Sequence, residues 1–267
     1  MPELHYLYGF ALSDCCVKNI DQAMDDRFPI ERLPFPPIAA IASRVGMDRF
    51  DVSKLEEETA DVNWLSQVAV RHNAIVDAIA QRHPILPLRL GTIFNSRTSL
   101  LDRTAQCAAE VAEFLRRLED RQEWAVKLYL DQDQAGKGVA PTEPITRSHG
   151  DSCAAPPSAG LQYFVAKRRE HDRRRQLDES VRQELSATES CLQGVADSWR
   201  RLRPLPATLT GRSEKMVWNA TFLLSRSGQD CFWNTCERLR NHLNPKGLIL
   251  EVTGPWAPYH FCPALAG

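Results

Sequence analysis

The sequence predicts an α+β protein of two domains, the second a ferredoxin-like β-α-β-β-α-β unit in which two helices cover one face of an antiparallel sheet. Three observations lead to that class. Short apolar runs of period two alternate with longer runs in which apolar residues recur every three or four positions, the signatures of half-buried strands and amphipathic helices. The second half runs strand, helix, strand, strand, helix, strand. At 267 residues the chain is also longer than one ordinary core requires. The implied divisions are an α+β domain over 1–121, the ferredoxin-like domain over 122–253 with a mobile loop at 131–158, and a tail over 254–267.

The first strand is Leu4–Phe10, short and rich in aromatic residues. An acidic, proline-containing loop follows through Phe28-Pro29 and Pro34-Phe35-Pro36-Pro37. Ile38–Val45 is the second strand, with Arg44 near its end. From Asp61 the period changes: Val62, Leu65, Val68, Ala69, His72, Ile75, Val76 and Ile79 fall on one face of a helix that Pro84 stops. His72 inside that apolar stripe reads as a hydrogen-bonded core residue rather than a ligand. Ile85–Phe94 is a strand and turn whose prolines suit an edge. Leu100, Cys107, Val111, Phe114, Leu115 and Leu118 then stripe a second helix, with Ser96 or Thr98 as its cap.

Trp124, Val126, Leu128 and Leu130 alternate as in a half-buried strand. The stretch from Asp131 to Ser158, rich in Gly, Pro, Ser and Asp, has no period and reads as loop. A helical region runs from Gly160 to Leu202, with Leu177, Val181, Leu185, Leu192, Val195, Trp199 and Leu202 at roughly heptad spacing. Leu205–Thr210 and Met216–Leu224, separated by Gly211–Lys215, read as a hairpin, and Trp218 and Phe222 share a bulky strand face. Phe232, Cys236, Leu239 and Leu243 stripe a helix that ends at Asn244-Pro245. Leu248–Thr253 is the last strand, ended by Gly254-Pro255 because proline cannot donate to a ladder.

Composition narrows the function. A net charge of -1 argues against bulk electrostatic binding to nucleic acid or anionic membrane. No apolar run is long enough to span a bilayer, and Met1–His5 lacks the pattern of a signal peptide, so a cytoplasmic protein is expected. The eight cysteines form no metal or disulfide framework, since no C-x-x-C occurs. Phosphate-cradling glycine motifs are absent, and Ala135-Gly136-Lys137-Gly138 has no strand before it. Gly150-Asp151-Ser152, beside His149, lies in the loop, where a nucleophile would lack rigid support. The cluster Lys167–Arg175 carries about four excess positive charges, but on a helix they spread around the axis and read as a solvated face. No catalytic residue, cofactor or metal site is therefore expected, and the balance shifts toward a binding or structural role.

The tail Gly254-Pro255-Trp256-Ala257-Pro258-Tyr259-His260-Phe261 is stiff and carries much apolar area, so it docks at small entropic cost, on its own domain or on a partner. It resembles the GPWPPY-F signature that closes the gas vesicle GvpL/GvpF family. Further segments resemble that family in the same order: Tyr6-Leu7-Tyr8-Gly9, the helix with His72 followed by Pro87–Phe94 (similar to P-L-R-F-G-T-V-F), Glu123–Lys127 at an E-x-x-V-K pattern, Gly160–Phe164, and Asn219–Leu224. Leu90 and Ala257 depart from the family's Phe and Pro. The resemblance implies an accessory or minor structural protein of gas vesicles, cytoplasmic or on the vesicle, that binds the shell protein GvpA and other Gvp proteins during nucleation and assembly, with no catalytic residues. Trp256, Pro258, Tyr259 and Phe261, with Trp218 and Phe222, are the candidate docking surface, and Arg44, Arg89 and His72 the candidate interdomain residues. The alternatives are a small-molecule-binding or a nucleic-acid-binding ferredoxin-like protein.

Overall fold

The computed structural model of the chain describes residues 3–18, 20, 22–48, 50, 62–138 and 159–265. It divides into two compact units. The first comprises Met1–Trp124, Leu223–Arg226 and Thr253–Gly267, so the tail belongs with the N-terminal residues; the second comprises Ala125–Phe222 and Ser227–Val252.

The first unit is built on a five-stranded sheet of β1 (Glu3–Leu12), β2 (Ile30–Phe35), β3 (Ile38–Gly46), β4 (Ile85–Pro87) and β5 (Ile93–Phe94), in the order β2-β3-β1-β4 with β5 also on β1. Strands β1–β3, β1–β4, β1–β5 and β2–β3 pair antiparallel. Strand β2 falls where the sequence suggests loop. It is an edge strand with only Leu33 buried, and Pro34 is tolerated there because an outer strand need not donate on both sides.

Two helices, α1 (Val62–Ala80) and α2 (Arg97–Arg117), pack on opposite faces of this sheet. Ile75, Val76 and Ile79 of α1 join Tyr6, Tyr8, Ile41 and Val45, whereas Leu100, Val111 and Leu115 of α2 join Leu7, Phe10, Ile38 and Leu86. Strict alternation would place Phe10 with Tyr6 and Tyr8. The register shifts between Leu7 and Gly9, and that bulge moves Phe10 to the α2 face. Gly9 is required at this point, since a Cβ would lie 2.5 Å from the Leu86 carbonyl oxygen. Ser96 caps α2, its Oγ accepting from Ser99 N–H at 3.1 Å.

The second unit holds most of a four-stranded sheet made of β6 (Arg121–Leu130), β7 (Ser198–Leu202), β8 (Lys215–Ser225) and β9 (Leu248–Trp256), ordered β7-β8-β6-β9. Its helices are α3 (Gln132–Gly138), α4 (Ala159–Gln193), the short α5 (Ala207–Thr210) and α6 (Gln229–Leu243). Three expectations are corrected here. Residues 132–138 are helical rather than loop, because Asp131 Oδ1 accepts from the N–H groups of Asp133 and Gln134, both at 3.0 Å, and Ala135 is buried. The remainder of the expected loop, 139–158, lies outside the described residues.

The long helix stops at Gln193 rather than reaching Leu202. Gly194 follows its end, and Trp199 and Leu202 then sit on β7, where the Trp199 ring stacks on Phe222 with centroids 6.5 Å apart. The partner of β8 is consequently β7 and not Leu205–Thr210, of which Ala207–Thr210 forms α5.

Candidate functional site

The tail is held on the first unit by bonds that begin at Gly254. This residue has φ +137°, and a Cβ would lie 3.0 Å from the Glu123 carbonyl oxygen and 3.1 Å from the Trp124 ring, so glycine lets the chain leave β9 against β6. Ala257 is buried among the α1-side core residues, and its N–H donates to Asp77 Oδ1 at 3.4 Å. Burial holds the Asp77 carboxyl above the usual carboxylate range, an effect that the Ala257 N–H partly offsets. Pro258 is buried beside it.

Beyond Pro258 the chain turns, with Phe261 N–H donating to the Pro258 carbonyl at 3.1 Å. The turn aims His260 at Glu123, a carboxylate almost wholly buried at 1% exposure. His260 N–H donates to Glu123 Oε2 at 3.2 Å, and its Nδ1 meets Oε1 at 2.5 Å. Phe261, Cys262 and Leu265 pack against the α2-side core. The tail therefore contributes side chains to both cores of the unit, with Glu123 as its central polar anchor.

Trp256 and Tyr259 lie differently. Trp256 is 46% exposed and Tyr259 37% exposed, although each makes one polar contact, Trp256 Nε1–H to Thr253 Oγ1 at 3.3 Å and Tyr259 O–H to Asn73 Oδ1 at 3.3 Å. Burial raises the Tyr259 phenol above its ordinary range, and the nearby Asp77 carboxylate adds to the rise. Asp77, His83, Arg121, Pro255, Trp256 and Pro258 edge a solvent-open cleft of about 370 Å³.

The other sequence-derived candidates are placed inside their own units. Trp218 is 3% exposed, with its Nε1–H donating to Glu189 Oε2 at 3.1 Å, and Phe222 is fully buried between Trp199, Trp218 and Phe232. Both rings fill the second unit's core and offer no surface, which bulky strand residues do when a helix covers them. His72 Nε2–H donates to the Leu88 carbonyl at 3.2 Å, which leaves Nδ1 to accept from Tyr6 O–H at 2.9 Å. Burial lowers its pKa, so the ring is neutral and structural. Arg44 pairs with Glu3 at 3.1 Å and lies over the Phe28 ring at 4.7 Å, both within the first unit. Arg89 is exposed at the turn before β5.

Glu123, Asn73 and Asp77 escape the sequence reading as tail partners. Their contacts with the tail span 137, 186 and 180 residues respectively, and no local period reports such a pairing. Glu123 is hidden for a further reason: alternation along β6 places it with Ala125 and Lys127, on the face opposite Trp124, Val126 and Leu128, yet it is buried. Among the described residues, no group of three or more His, Cys, Asp or Glu side chains is placed to hold a metal ion, and no helix is long and apolar enough to cross a membrane.

Sheets with antiparallel pairing, flanking helices and a proline- and aromatic-rich tail define a two-unit α+β protein. The same fold occurs in two crystal structures of gas vesicle protein GvpF. The Anabaena sp. PCC7120 protein superposes with a TM-score of 0.66 at 18% identity, covering 99% of this chain and 98% of that one. The Microcystis aeruginosa protein gives 0.65 at 14% identity, covering 98% and 100%. In sequence, the chain is 28% identical over 226 residues to Gas vesicle protein L of Streptomyces sp. (strain CB03234), spanning 84% of this chain and 79% of that protein. The family described as gas vesicle synthesis protein GvpL/GvpF matches residues 4–263, and the chain belongs to it. That membership associates it with gas vesicles.

Proposed function

We propose that this protein is a binding component in gas vesicle assembly, that it engages the shell protein GvpA and other Gvp proteins during nucleation, and that it catalyses no reaction. One observation carries the reading: Ala257, Pro258, His260 and Phe261 lock the tail, while Trp256 and Tyr259 on the same rigid segment keep large exposed ring surface. Rings fixed in place lose little entropy when a partner covers them, which is the property of a pre-organised docking patch. A shell protein that presents an apolar face to gas needs such cover before it assembles. The strand order β7-β8-β6-β9, with α4 and α6 as the connecting helices, supports a ferredoxin-like description of the second unit. The absence of a membrane-spanning helix among the described residues fits action from the cytoplasm on the vesicle surface.

The test is co-expression with GvpA, followed by pull-down and flotation. Trp256→Ala with Tyr259→Ala leaves the circular dichroism and melting temperature close to wild type and lowers GvpA recovery by about tenfold, as loss of a ring hot spot does. Undiminished recovery from the folded double variant removes the tail as the docking element. Turnover of a metabolite by the purified protein removes the non-catalytic assignment.

A further inference from the structure

A second surface lies on α4, and it does not depend on the tail. From Tyr163 to Gln176 every residue of this helix is exposed, whereas burial begins at Leu177 and deepens through Val181, Leu185, Thr188 and Leu192. The exposed half carries six cations, Lys167, Arg168, Arg169, Arg173, Arg174 and Arg175, against two carboxylates, Glu170 and Asp172. Only part of that charge is neutralised within the helix: Arg174 pairs with Glu170 at 3.1 Å, and Lys167 lies 5.9 Å from the Tyr163 ring centroid. Arg168, Arg169, Arg173 and Arg175 make no ion pair among the described residues. Arg169 and Arg173 stand four apart, a like-charge spacing that destabilises an isolated helix.

At the start of the segment, Tyr163 is 61%, Phe164 70% and Val165 42% exposed, the two rings meeting edge to face at 6.0 Å. Successive residues turn by about 100° around a helix, so these three point to three different sides. The unpaired arginines likewise occupy two sides, Arg168 with Arg175 on one and Arg169 with Arg173 on another. A flat membrane or a nucleic acid duplex covers one side of a helix and leaves the rest in water. A groove encloses several sides.

We propose that residues 163–176 are a docking helix for an acidic protein partner, whose groove has an apolar floor for Tyr163 and Phe164 and carboxylates along its walls for the four unpaired arginines. Because only its C-terminal half is packed, the helix frays at this segment in the free protein, and the partner's carboxylates order it by neutralising the Arg169/Arg173 repulsion.

The full chain is titrated with a fluorescein-labelled, glutamate-rich peptide carrying a leucine heptad seam, with oligothymidylate and equimolar phosphatidylserine/phosphatidylcholine vesicles as competing probes. The peptide binds tightest, and amide exchange across 163–176 slows when it is bound. Replacing Arg168, Arg169, Arg173 and Arg175 together by Gln weakens peptide binding by roughly tenfold or more, and Phe164→Ala by roughly threefold. Trp256→Ala binds the peptide as wild type does, which separates this surface from the tail. Tighter binding to oligothymidylate or to vesicles, equal binding by the glutamine variant, no binding of the peptide, or unchanged exchange across 163–176 overturns the proposal. The glutamine and Phe164→Ala variants fold, since those side chains are exposed, and circular dichroism checks the fold of Trp256→Ala, whose ring is half-covered.

Discussion

Two segments of this chain present exposed rings, and they differ in what lies beneath them. Trp256 and Tyr259 ride on a tail whose neighbours are inserted into both cores of the first unit and bonded to a buried carboxylate. Tyr163 and Phe164 ride on a helix half whose residues are all exposed, and the two rings meet each other edge to face. The difference teaches that exposure alone does not describe a surface. On the tail, the anchor is part of the fold's stability, so docking residues and folding residues alternate along one short segment. On the helix, the charged half adds nothing to either core, so its sequence is free to answer to a partner alone.

That contrast can be broken most forcefully at Gly254. Gly254→Val places a branched side chain where a single Cβ already lies 3.0 Å from the Glu123 carbonyl, at a positive φ, and destabilises the protein by about 3 kcal/mol in denaturant titration. Phe261→Ala removes a ring from the α2-side core and costs about 2 kcal/mol by the same measurement. Glu123→Gln keeps an acceptor for His260 N–H but loses the charge-assisted contact to the imidazole. About 1 kcal/mol follows, together with faster amide exchange in the tail.

Acidity produces a slope rather than a step, and α1, the tail's floor, carries two groups of opposite sign. Folded His72 has a pKa below 6.5, so unfolded chains bind its proton first: its contribution is complete above 6.5 and is lost as pH falls below that value. His72→Gln flattens the loss between pH 6.5 and the lowered value. Asp77 runs the other way. Its folded pKa stands above 3.8, so its contribution is complete below 3.8 and declines as pH rises through the raised value, and Asp77→Asn removes that decline. On the exposed half of α4, Phe164→Ala or Arg173→Gln changes stability by no more than about 0.5 kcal/mol, the expectation for a side chain that covers nothing. A drop of 2 kcal/mol in either variant would erase the distinction between the two segments.

Most of the fold is legible in the residues because the period of the apolar pattern changes with the element. Ile75, Val76 and Ile79 announce α1, and Val126 and Leu128 announce β6, since these buried residues keep the period of their element. Errors fall where a local pattern has two readings. Trp199 and Leu202 continue the spacing of α4, yet they belong to β7, and Gly194 is the weak signal that separates the two. The tail's stiffness and aromatic content are plain in Gly254–Phe261, as is the charge of Lys167–Arg175. Their surroundings are not.

By itself, the sequence determined the family, the alternation of strands and helices, and the two segments in which rings and charge concentrate, because these follow from periods and short motifs that neighbouring residues carry together. Tertiary structure alone decided which rings are covered. Trp218 and Phe222 are core while Trp256 and Tyr259 are surface, the tail closes on Glu123 and α1, and half of α4 stands uncovered. Burial depends on contacts between residues distant in the chain, 29 positions for Trp218 with Glu189 and 137 for His260 with Glu123, and no local period encodes them.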